Sequence, residues 1–148
     1  MTQVGDLNFS VGYALKRATA ALRAAMDAGL RPLGLSVPQY SCLEQLGQRP
    51  GLSVAELARG TFVTRQSMHT LLLGLEERGL LTRAATAAQG RALPTQLTET
   101  GRDLLRQASR IVAAIEHQMT AALPAGERER LLAALAACAA ALNDRRGD

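Results

Sequence analysis

Leu7, Val11, Leu15, Ala18, Leu22, Met26 and Gly29 follow one another at steps of four and three, which places them on one stripe of a helix. The pattern stops at "GLRPLGLS", where glycine and proline interrupt it, so residues 6–30 are predicted as one long helix. "SVPQ" at 36–39 then offers Ser36 as N-cap, a proline in the first turn and Gln39 at the position that reaches back to the cap. A second helix is predicted from there to about Leu46. After the turn at Pro50 and Gly51, "SVAE" repeats the box with Ser53 and Glu56 and opens a short helix expected to end at Gly60. Three residues later Thr64 caps another helix. Met68, Leu71, Leu72 and Leu75 form its apolar face, and Gly79 is expected to supply the left-handed residue that ends it.

Two short helices across a tight turn make a helix-turn-helix. Beyond Gly79 the period changes: "LLTRAA" and "RALPTQLT" read as extended runs around "TAAQG", a hairpin tip. Pro94 cannot donate to a ladder, so its strand must be an edge. A helix-turn-helix followed by a hairpin is a winged helix, expected over residues 35–99. "TETG" opens a long helix with Leu104, Leu105, Ala108, Ile111, Val112, Ile115, Met119 and Ala122 at helical spacing, up to the "LPAG" break. A last helix carries Leu131, Leu135, Cys138 and Leu142 on one side. The fold class is therefore mainly α with a small β-hairpin, one chain in which helices at 6–30 and 100–146 flank the winged helix. Their apolar stripes exceed what so small a module covers, and pairing with a second copy would bury them, so an obligate homodimer is expected.

Composition narrows the picture. With 148 residues and 47% hydrophobic content, a single folded domain is expected, and 3% aromatics with scattered β-branched residues argue against a large sheet. There is no apolar run of about 18 residues and no leader pattern, so a cytoplasmic protein without membrane contact is expected. Cys42 and Cys138 stand far apart with no metal-ligand spacing, which predicts reduced thiols and no metal. Paired acids, GxSxG, P-loop and HExxH patterns are absent, so neither catalysis nor a cofactor is expected.

The net charge of +4 permits a polyanionic partner without demanding one. Within residues 53–98, Arg59, Arg65, Arg78, Arg83 and Arg91 stand against Glu56, Glu76 and Glu77, five minus three, or +2. Nonspecific attraction to DNA should be weak. The chemistry lies instead on the helix that follows Thr64. Successive helical residues turn by about 100°, so Gln66, Thr70, Leu73 and Glu77 lie opposite the core face, with His69 and Gly74 beside them. Gln pairs bidentately with adenine, Thr offers a hydroxyl or methyl, and an apolar group can touch a thymine methyl. Arg65, in the first turn with Thr64 and Ser67, can reach a guanine or a phosphate. Arg83, at the base of the hairpin, is a phosphate candidate. Two readings stay open on these residues: a DNA reader of an inverted repeat, or a winged-helix dimer whose exposed Leu73 and low charge suit a protein partner.

"GLSVPQYSCLEQL", "LSVAELARGTFVTRQSMHTLLLGLEERGLLTR" and "GRALPTQLTETGRDLL" resemble successive blocks of the MarR family of bacterial transcription regulators, in that family's order and spacing. The likeness covers roughly residues 7–142. It implies a dimer with intertwined terminal helices, two winged helices on a palindromic double-stranded DNA site, action mostly as a repressor, and often a small aromatic or amphipathic effector that weakens DNA binding. It also implies that Arg91 enters the minor groove, although the aspartate that often precedes this arginine is missing from "TAAQGR". An effector between the dimerisation helices and the winged helix would involve Phe9, Tyr13, Tyr40, Cys42 and His117. Peroxide-sensing relatives carry a cysteine in the stretch resembled by "LNFSVGY"; here that stretch has none.

Overall fold

The computed structural model describes residues 5–83 and 95–144. Asp6 accepts a hydrogen bond from the Asn8 amide and closes a short 3-10 turn, Leu7–Phe9, before the extended Ser10 caps α1 (Val11–Leu30). Leu7 thus precedes the helix whose stripe it was expected to begin. A second 3-10 turn, Arg31–Leu33, ends at the left-handed Gly34 and leads into α2 (Val37–Gln48). The predicted capping box is present in both directions, Gln39 N to Ser36 Oγ at 3.2 Å and Ser36 N to Gln39 Oε1 at 2.9 Å. This pairing satisfies amides that a helix start leaves open.

The box at Ser53 and Glu56 forms likewise, at 3.1 and 3.3 Å, and starts α3 (Val54–Thr61). This helix runs past Gly60, and the residue in the left-handed region is Phe62, with φ 59°. Gly60 lies within the helix instead of ending it, and Gln45 donates to its carbonyl at 3.4 Å. The turn between the helices is accordingly Phe62 to Thr64, one residue later than expected. Thr64 caps α4 (Arg65–Glu77), and Gly79, with φ 72°, follows its end.

Strands β1 (Leu81–Arg83) and β2 (Thr95–Leu97) pair antiparallel, Leu81 opposite Leu97 and Arg83 opposite Thr95. Leu81 and Leu97 face the core. The hairpin tip, with Arg91 and Pro94, lies outside the described residues. Thr98 joins sheet to helix: its hydroxyl donates to the Gly79 carbonyl at 2.6 Å and accepts from the Gly101 amide at 3.0 Å in the first turn of α5 (Glu99–Thr120). The final helix is α6 (Glu127–Asn143).

The chain forms two compact units, Met1–Ala113 and Ala114–Asp148. The core of the first joins Leu43 and Leu46 of α2, Leu57 of α3, Met68, Leu72 and Leu75 of α4, Leu81 of β1 and Ala108 of α5. Leu71, expected inside, is half-buried at its edge. In the second unit α5 stops at Thr120, short of the expected Ala122, and no described residue of α6 is buried. Leu131, Leu135, Leu142 and Cys138 are all exposed on the single chain.

Candidate nucleic-acid interface

Helix α4 separates two jobs by face. Met68, Leu72 and Leu75 have no solvent exposure, whereas Arg65, Gln66, His69, Thr70 and Leu73 are exposed on the other side. The helix start is self-contained: Thr64 Oγ1 accepts from the Ser67 amide at 3.0 Å and donates to Ser67 Oγ at 2.9 Å. Those two hydroxyls hold geometry. The Thr70 hydroxyl donates to the Gln66 carbonyl at 3.3 Å, as a threonine in a helix commonly does. Leu73 is 55% exposed, on a helix whose opposite face is buried.

Two grooves flank the helix. One, of about 650 Å³, runs between Ser36, Pro38 and Gln39 at the start of α2 and Gln66, Thr70 and Gly74 of α4. The other, of about 360 Å³, lies between Ser53, Val54 and Ala55 at the start of α3 and the side chains of Arg65 and His69. Arg65 therefore stands beside first-turn amides of a neighbouring helix, a combination suited to a phosphate.

The remaining candidate residues are not gathered with these. Arg83 points to the Leu81 side of its strand, with Nε 3.9 Å from Glu76 Oε2 and a side chain 21% exposed. Its Nε and Nη2 are buried without a hydrogen-bond partner among the described residues. Arg78 carries a structural task, donating to the carbonyls of Gly34 at 2.8 Å and Leu33 at 3.3 Å and so tying the end of α4 to the loop after α1. Of the residues considered for an effector, Phe9 and Tyr13 are exposed near the start of α1, Tyr40 and Cys42 are buried in the core, and His117 is exposed in the second unit. None of the five lines either groove beside α4. Phe62, which sequence reasoning passed over, is 94% exposed in the turn before Thr64, and the missed signal was the absence of any glycine at that position.

Burial lifts the Cys42 thiol from its ordinary 9.0 to about 12, against the opposing pull of the Arg83 charge. Because the folded value lies above the unfolded one, the stability from burying the neutral thiol is complete below pH 9.0 and is lost as the pH rises towards 12. A Cys42→Ala chain should accordingly lose less of its own stability across that window in denaturant melts. An equal loss in both chains would show that the thiol contributes nothing to alkaline unfolding.

Residues 33–92 match the family model described as MarR family. The HTH-type transcriptional repressor Rv2887 of Mycobacterium tuberculosis is 45% identical over 118 residues, spanning 80% of this chain and 85% of the relative. The chain belongs to the MarR family. MarR family structures align along nearly the whole chain. The crystal structure of Rv2887 in complex with DNA gives a TM-score of 0.72 at 42% identity, over 85% of this chain and 97% of that one. The transcriptional repressor CouR bound to a 23-mer DNA duplex gives 0.83 at 32% identity, over 94% and 99%. Rv2887 has also been solved with salicylic acid and CouR with p-coumaroyl-CoA. The mainly helical winged helix-turn-helix expected from the sequence is borne out, and this MarR protein is a DNA-binding transcriptional regulator. Among the described residues no helix is long and apolar enough to cross a membrane.

Proposed function

We propose that this MarR protein is a repressor that holds an inverted-repeat operator as a homodimer and lets go of it when a small aromatic or amphipathic effector binds. The observation that carries the reading is the division of α4: Met68, Leu72 and Leu75 are fully buried, while Gln66, His69, Thr70 and Leu73 stand exposed between two grooves. Gln66 supplies a bidentate donor and acceptor for adenine, and Arg65 a cation for guanine or phosphate. Thr64 and Ser67 fix the start of that helix, and Arg91 is assigned to the wing. Arg83 serves the DNA backbone only after leaving Glu76. The chemistry assigned to the chain is binding, with no catalytic part for Cys42, His69 or His117, and with DNA as partner its work is assigned to the cytoplasm.

Dimerisation is assigned to α1, α5 and α6, whose exposed apolar side chains, among them Leu15, Met119, Leu131 and Leu135, need a cover. Two half-sites one helical turn apart then compensate for the low charge of each module. The effector reading rests on the relatives solved with salicylic acid and p-coumaroyl-CoA.

The test is selection of random duplex DNA by the purified protein at two salt concentrations, followed by binding of the enriched duplex to Gln66→Ala. A salt-sensitive inverted repeat is expected, and the substitution should weaken it by about 1–3 kcal/mol while leaving nonspecific binding in place. An absence of enrichment at low salt removes this reading and leaves a protein partner for Leu73.

A further inference from the structure

The outward stripe of α4 is poorer in polar reach than its sequence suggests. The hydroxyls of Thr64 and Ser67 are taken up in the cap, and that of Thr70 is turned back to the Gln66 carbonyl. Thr70 therefore offers the groove chiefly its γ-methyl, and one turn on, Leu73 offers a side chain that is 55% exposed. Gln66, Thr70 and Leu73 share one stripe, at relative positions zero, four and seven. With about 1.5 Å of rise per residue, the methyl of Thr70 and the side chain of Leu73 are about 4.5 Å apart along the axis. Base pairs stack about 3.4 Å apart, so the two groups address neighbouring base pairs.

Among the base edges of the major groove, thymine alone presents an apolar group, its C5 methyl. We propose that this protein reads each operator half-site through thymine methyls, two neighbouring thymines packing on Thr70 and Leu73 beside an adenine held by Gln66. The inference rests on the DNA-reading assignment above and adds the chemistry that the reading selects. A guanine under Thr70, whose hydroxyl proton is committed to the Gln66 carbonyl, or either a cytosine or a guanine under Leu73, would bury a polar edge against a group that returns no hydrogen bond. The operator is therefore A·T-rich under this stripe, and a guanine finds its partner only at the Arg65 end.

The experiment uses the full-length protein and its selected operator, with thymines of the half-site replaced one at a time by deoxyuracil. This exchange removes a single methyl and leaves every hydrogen-bonding atom in place. Two positions should each lose about fourfold in affinity, the value of one buried methyl. In Leu73→Ala and in Thr70→Ser, one of those two penalties should disappear, since each variant removes the protein's half of one contact. Both side chains are exposed, so the variants keep the fold, which circular dichroism checks.

Equal affinity for thymine and uracil operators overturns the inference while leaving the regulator assignment intact. Uracil penalties that persist unchanged in both variants also overturn it, because the methyl then acts through the stiffness of the duplex. Failure to select any duplex brings down the regulator assignment itself and this inference with it.

Discussion

Gly101→Ala should lower the melting temperature by roughly 4–8 °C, although alanine is the better helix former. Gly101 lies buried in the first turn of α5, against the chain where it enters β1. A Cβ built there would strike the Leu80 carbonyl oxygen and carbon, both backbone atoms. That oxygen already accepts from the Thr98 amide at 3.1 Å, and Thr98 in turn holds Gly79 and Gly101. Relief requires α5 to shift away from the sheet, breaking a linked set of hydrogen bonds and loosening Ala108 in the core. Overpacking of this kind costs about 3 kcal/mol, more than the roughly 1 kcal/mol that alanine returns in helix propensity. Gly74→Ala is the matched control. Nothing lies within 4 Å of a Cβ there, so it should leave the melting temperature unchanged or raise it. A Gly101→Ala chain that melts no lower than Gly74→Ala would refute the close contact.

Leu135→Asp should convert the protein to a monomer and cut operator affinity on the order of a hundredfold or more, the range by which two linked sites exceed one. Leu131, Leu135 and Leu142 are 41, 40 and 67% exposed on the single chain. A lone helix of this length is marginal in water, and α6 buries none of its residues, so its order must come from something that covers the leucines. A second copy covers them in the arrangement proposed above, and an aspartate in that seam would be a buried, unpaired charge. Sedimentation at micromolar concentration and operator titration measure the two effects. A variant that stays dimeric with unchanged operator affinity would move the interface away from α6.

What the sequence disclosed, and what it withheld, follows the range of the interactions involved. The caps at Ser36, Ser53 and Thr64 were legible because each closes within three residues. The exposed face of α4 was legible for a similar reason, since the helical period alone sets Gln66, Thr70 and Leu73 opposite Met68, Leu72 and Leu75. Gly60 was misread as a terminator: it lies inside α3, and its carbonyl accepts from Gln45, fifteen residues away. Phe62 took the left-handed place instead, contrary to the usual preference for glycine or asparagine.

The surroundings of the candidate effector residues were the least legible, because burial of Tyr40 and Cys42 depends on how α2 meets the rest of the core, which no local pattern encodes. Arg83 was half legible: strand alternation puts it on the side of Leu81, a clue that its charge obscured. Its contact with Glu76 joins strand to helix and lies outside any local motif.

The split between the two faces of α4 bears on how such a regulator changes over time. Substitutions at 66, 69, 70 or 73 fall on side chains that the interior does not use, and those at 68, 72 or 75 fall on side chains that the groove never meets. A duplicated copy of this gene could therefore drift towards a new set of target promoters by single exposed replacements, with the scaffold that presents them inherited intact.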